Sequence, residues 1–183
     1  MKPQEMIDTA LELGAAKAAV IPVKEIAFRC EFRKMCEMNS CGMYGKSWMC
    51  PPIVGDIDTL IQQAQSYQCA LVYQTIGELE DSYDFEGMMV AGQKINDLTQ
   101  HLRDAFGTAL DTPLHAALHL GAGGCRLCET CAKRDAQPCR FPDKALASLE
   151  AYGVAVAQLA ELCGMKYING QDTVTYFGAV FFG

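Results

Sequence analysis

Cys125, Cys128 and Cys131 stand at two consecutive C-x2-C steps, and Cys139 follows three residues ahead of Pro142. Thiolates are strong ligands for soft and borderline metals, and a metal needs several of them together. A tetrahedral zinc ion takes a pair from each of two separated knuckles. A cubane cluster takes one sulfur for each of four irons, and C-x2-C-x2-C with a more distant fourth cysteine is a frequent solution. These four residues therefore predict a cysteine-ligated metal, a 4Fe–4S cluster first and zinc as the alternative. Gly121, Gly123 and Gly124 lead into the run and let the backbone approach closely, with their amides expected to bond to sulfur. Arg126, Lys133, Arg134 and Arg140 flank it, and positive charge favours thiolate and offsets an anionic cluster. The glycines do not complete a G-x-G-x-x-G dinucleotide loop, because Arg126 occupies the third glycine position.

Four more cysteines, Cys30, Cys36, Cys41 and Cys50, lie upstream at looser spacing. Cys50-Pro51 has the ligand-then-proline ending of bacterial ferredoxin runs, where proline fixes the chain direction just past the ligand. Tyr44, Trp48, Met43 and Met49 are expected to form an apolar wall beside this group. The reading is a second cluster site, or a loop that donates one ligand to the first.

Other reactive residues carry plainer readings. Cys69 opens an apolar strand and Cys163 closes an apolar helix, positions suited to small buried hydrophobes. His101 reads as a surface or rim residue of a helix. His115 and His119 share a strand face, with no carboxylate beside them to orient a ligand. Glu78, Glu80, Asp81, Asp84 and Glu86 form an acidic loop, read as a solvated face or a docking patch for a basic redox partner. No Ser-His-Asp or paired-carboxylate arrangement emerges.

Cys41-Gly-Met-Tyr44-Gly45-Lys46-Ser-Trp48-Met-Cys50-Pro51-Pro52, the segment from Gly124 to Cys139, and Ser148-Leu149-Glu150-Ala151-Tyr152-Gly153 occur in that order over most of the chain. In these motifs the sequence resembles the bacterial and archaeal family of predicted metal-binding proteins, a domain of unknown function. The resemblance implies a cysteine-bound metal and supplies no reaction. It also implies one cysteine a few residues before Cys41. Cys36 is the closer match, which leaves Cys30 without an implied role.

The 183 residues carry ten cysteines, a net charge of −7 and no run of about 18 apolar residues. An acidic surface repels phosphate backbones, so nucleic acid is excluded as the expected partner, and so is a membrane. The first residues place Glu5, Asp8 and Glu12 where a signal peptide would be apolar. A cytoplasmic protein is expected. In that compartment clustered cysteines hold metal more often than disulfides.

The elements that must position these groups are those of an α+β domain spanning 1–183, with cysteine-rich loops at 30–52 and 121–142. A helix begins at Pro3 and stops near Gly14. Residues 16–23 read as a strand ending at Pro22, and 30–54 as irregular. A short helix capped by Asp56 or Asp58 precedes a buried strand at 69–76. An apolar stripe predicts a helix over 85–106, and 114–120 reads as a strand. A helical region follows Pro142, broken near Gly153. The tail predicts a β-hairpin of MKYIN and TVTYFGAVFF about Asn169-Gly170. Together these predict a mixed sheet with packed helices.

The expected role is electron transfer or redox accessory work with a redox partner protein. The alternatives are a cluster-dependent enzyme with an open iron position and a zinc-stabilised binding module. The oligomeric state is not encoded in any of these features.

Overall fold

The computed structural model describes residues 2–109 and 117–183. His115, and the first residues of the strand expected at 114–120, lie outside the described residues. The fold is α+β, with five α-helices and one four-stranded sheet among the described residues.

Helix α1 (Pro3–Glu12) starts on a proline and buries Met6 and Ala10 completely. Gly14, at φ +109°, turns the chain into β1 (Lys17–Pro22). Strand β2 (Cys69–Glu78) is buried from Ala70 to Thr75, as a continuous apolar run predicts. Helix α4 (Phe85–Ala109) seats Ile95, Leu98, Leu102 and Phe106 in the core, on the stripe read from the sequence. Asp84 holds its start by accepting from the Gly87 and Glu80 amides, at 2.8 and 3.0 Å. One member of the acidic loop is thus a cap, and those two bonds hold its carboxyl below the usual range.

The sheet order is β1-β2-β4-β3, with β3 at Leu118–Leu120 and β4 at Thr173–Phe182. Every pairing of named strands is antiparallel, so the sheet is not mixed. One face carries Leu71, Tyr73 and Val180 against α1 and α4. The other carries Val72, Ala179 and Phe181 against α3 (Ile57–Gln65), α5 (Val156–Leu162) and the Leu149–Val154 segment.

The expected terminal hairpin is absent. Strand β4 pairs with β2 along its whole length and with β3 only at Ala179–Phe181, and residues 165–169 take no strand conformation beside the rest of it. Instead Asn169 ties that segment into a turn, donating to the Lys166 carbonyl and the Thr175 hydroxyl. The helix expected after Pro142 begins only past Gly153, whose φ of +71° interrupts it. The first loop is less irregular than expected, because α2 (Phe32–Glu37) forms inside it without burying any residue. Among the described residues no helix is long and apolar enough to cross a membrane.

Candidate metal centre

Both cysteine loops are anchored at their bases by backbone bonds. The second leaves the sheet at Gly121 and returns through a parallel bridge to Ser148. There Gly121 donates to the Ala147 carbonyl at 2.9 Å, and Leu149 donates back to Gly121 at 3.0 Å. The first leaves at Phe28, which bridges Val154, and Arg29 donates to the Gly153 carbonyl. Arg33 of α2 fastens it further by donating to the Gly55 carbonyl at 2.9 Å and to that of Ala151 at 3.5 Å.

All ten cysteines are free thiols. Cys125, Cys128, Cys131 and Cys139 line one small cavity with Trp48, Met49 and Phe141. On the first loop Cys36, Cys41 and Cys50 form the first group, the Cys125 set being the second, and they lie close enough that charge on one raises the thiol pKa of another. The groups abut. A Cβ built on Gly124 would lie 3.9 Å from the Cys50 sulfur, and charge on Cys125 raises the Cys50 thiol pKa. Cys30 is exposed and lines neither group's cavity.

The local electrostatics differ from one sulfur to the next. Burial pushes the Cys125 thiol up, against the Leu127 and Leu146 amides, which donate to it, and with the repulsion of Cys139 and Cys128. Burial also works upward at Cys131, but there it is outweighed. The Lys133 and Trp48 amides, the Ser47 hydroxyl and the Arg140 charge bring that thiol below its ordinary value. Burial raises Cys50 as well, against the Ser47 hydroxyl. At Cys36 burial again dominates, with Arg33 opposing it. Cys163, remote from both groups, is pushed up to about 11 by burial, as a packed thiol should be.

Several expectations move by one neighbour. The amides that reach sulfur belong to Leu127, Leu146, Lys133 and Trp48, not to the glycines. The glycines shape the approach instead, Gly123 at φ +66°. The Arg126 guanidinium lies across Gly92 of α4, where an added Cβ would come within 2.7 Å of it. Trp48 and Met49 wall the second group's cavity, not the first's. The Trp48 indole donates to the Gln137 carbonyl at 3.0 Å, and Lys133 sits 5.0 Å over its ring. Arg134 reaches the Met43 sulfur at 3.6 Å. The two loops are interlocked by these contacts.

Ser47 has no counterpart among the sequence candidates. It is 1% exposed, and its hydroxyl serves both Cys131 and Cys50, one sulfur from each group. Its position three residues before Cys50 in GKSWMCPP is the one signal that marks it.

A family model described as "Predicted metal-binding protein (DUF2284)" matches residues 19–182. The chain belongs to this family. Neither a curated protein nor a solved structure matches it. The matched span contains the sheet from Ala19 of β1 onward and both cysteine loops, so the family's predicted metal binding applies to the part of the chain that carries the sulfurs.

The donor set suits a thiolate-bound metal: four sulfurs on one cavity, amide and hydroxyl donors aimed at two of them, and Arg140 alongside. As it stands the cavity measures about 20 Å³, the room of a single ion or water. Among the described residues no three His, Cys, Asp or Glu side chains already close to single-ion range. A cubane held there would therefore have its ligands and the Trp48 and Phe141 walls farther apart.

Proposed function

We propose that the chain is an iron–sulfur protein whose 4Fe–4S cluster is held by Cys125, Cys128, Cys131 and Cys139, and that it transfers single electrons. One observation carries the reading: these four sulfurs, spaced C-x2-C-x2-C with a distant fourth, line one cavity. When bound, the cluster supplies a one-electron couple. The chain's own part is to set its potential and access. The Leu127, Leu146, Lys133 and Trp48 amides and the Ser47 hydroxyl favour the more negative state by donating to sulfur. Trp48 and Met49 keep water off one side. Phe141 and Arg140 stand exposed on the other, where a redox partner protein would approach. Cys36, Cys41 and Cys50 are the ligands of a second centre adjoining the first.

Quantifying iron, sulfide and zinc in anaerobically purified protein tests this, with electron paramagnetic resonance of the reduced form. Iron and sulfide in equal amounts, four of each per cluster, are expected. Colourless protein replete in zinc would overturn it and establish the zinc-stabilised module, which the single-ion size of the cavity favours.

A cluster-dependent enzyme is favoured by the first group alone. It gathers three sulfurs, not four, and Cys36 and Cys41 line a cavity of about 900 Å³ with Phe32, Met35 and Met38. A three-cysteine centre leaves one iron position for a bound molecule. Spectral change of the centre on adding small ligands, with iron retained, distinguishes this reading from pure electron transfer.

A further inference from the structure

A second cavity lies on the far side of Met49 and Ala145, which line both it and the cysteine cavity. It opens along β3, the outer strand of the sheet, with a volume of about 540 Å³, within the range of small-molecule sites. His119 of β3 is only 5% exposed, and neither ring nitrogen has a hydrogen-bond partner among the described residues. Burying an imidazole with both nitrogens unpaired is costly, so such a group needs a role. Arg103 of α4, 9% exposed, also lines this cavity, touching Gln100 at 3.4 Å and Asp104 at 3.5 Å through Nη1. The packing of β3 against α4 brings these two residues to one wall, although 16 positions separate them.

We propose that this cavity binds a small monocarboxylate with an apolar body, its head group held between Arg103 and His119. A guanidinium is the residue best matched to a carboxylate, and a neutral imidazole adds one donor to it. Apart from Asp143 and from Tyr152, whose hydroxyl donates to Gln63 at 3.1 Å, the rest of the lining is apolar: Met49, Val54, Leu118, Leu120 and Leu146 offer nothing to a second charge. Asp143, exposed at the rim, repels a second negative group and so favours a single carboxylate. The leucine at 146 also donates its amide to Cys125, so an occupant here lies one residue from the metal centre. The proposal does not depend on which metal the cysteines hold.

The test uses the full chain as purified, titrated with isovalerate, hexanoate and phenylacetate, each beside its primary amide. Heat and the imidazole nitrogen resonances are followed together. At least one acid is expected to bind saturably and to shift both His119 nitrogens, with its amide about tenfold weaker or more. Arg103→Gln should erase that preference. Because Arg103 is buried and its variant can fail to fold, the acid–amide comparison on the unaltered chain decides alone. No saturable shift at His119 with any of the three acids, or equal binding of acid and amide, overturns the proposal.

Discussion

The two cysteine loops solve the same problem with different degrees of order. The second is pinched shut at Gly121 and Ser148, and its sulfurs already receive amide bonds from Leu127, Leu146, Lys133 and Trp48. The first leaves Cys30 and Cys41 exposed and places Cys36 and Cys41 on a broad apolar cavity. Donors fixed before the ligand arrives lose little freedom when it binds, whereas exposed thiols must be ordered by the metal itself. A tight structural or electron-carrying centre fits the second loop, and an accessible centre the first.

The largest effect that would break this contrast comes from the cysteines proposed as ligands. Structural metal sites contribute on the order of 10 kcal/mol. Cys128→Ser should therefore remove one site's metal and expose the amides of residues 122–146 to hydrogen exchange, while Cys41→Ser spares that segment. Equal loss in both variants, read by metal analysis and exchange, would show a single shared centre.

Acid should separate the loops next. Burial, together with the Arg103 charge, lowers the His119 pKa to about 4, so the folded protein holds it neutral. Its folded value lies below the unfolded one near 6.5, so this contribution is complete above about pH 6.5 and is lost as pH falls through 4. The difference amounts to roughly 3 kcal/mol. His119 lies two residues before the base of the second loop, so that loop is expected to loosen first. His119→Phe should flatten the urea-stability profile between pH 7 and pH 4.

Smaller perturbations sharpen the comparison. Arg33→Met removes a guanidinium that holds the first loop to Gly55 and Ala151, at a cost of about 2 kcal/mol. Faster exchange confined to residues 30–54 is the expected result. Ser47→Ala, worth about 1 kcal/mol, should act on both loops, since its hydroxyl serves Cys131 and Cys50. Alkylation rates should rise or fall together at those two cysteines. Cys30→Ser should leave metal content and melting temperature unchanged.

The sequence showed the elements whose signal is local. An unbroken apolar run marked β2, and a helical stripe marked α4, within three residues of its observed end. The clustering of Cys125 to Cys139 rested on spacing and needed no knowledge of the fold. What remained hidden depends on partners distant in the chain. The MKYIN segment has strand-like residues, but its Asn169 bonds to the Lys166 carbonyl and the Thr175 hydroxyl and closes a turn instead. Helix α2 buries no residue, so no periodicity announced it. The indole of Trp48 finds its acceptor 89 residues away, and His119 meets Arg103 only because β3 packs on α4.

The parallel bridge at Gly121 and Ser148 makes the second loop a cassette. Its two ends are neighbours on the sheet, so its length can change without shifting the strand register. Lengthening such an excursion is thermodynamically inexpensive, about 0.6 kcal/mol for each doubling. The same scaffold can therefore carry a differently sized ligand segment at that point and keep its core.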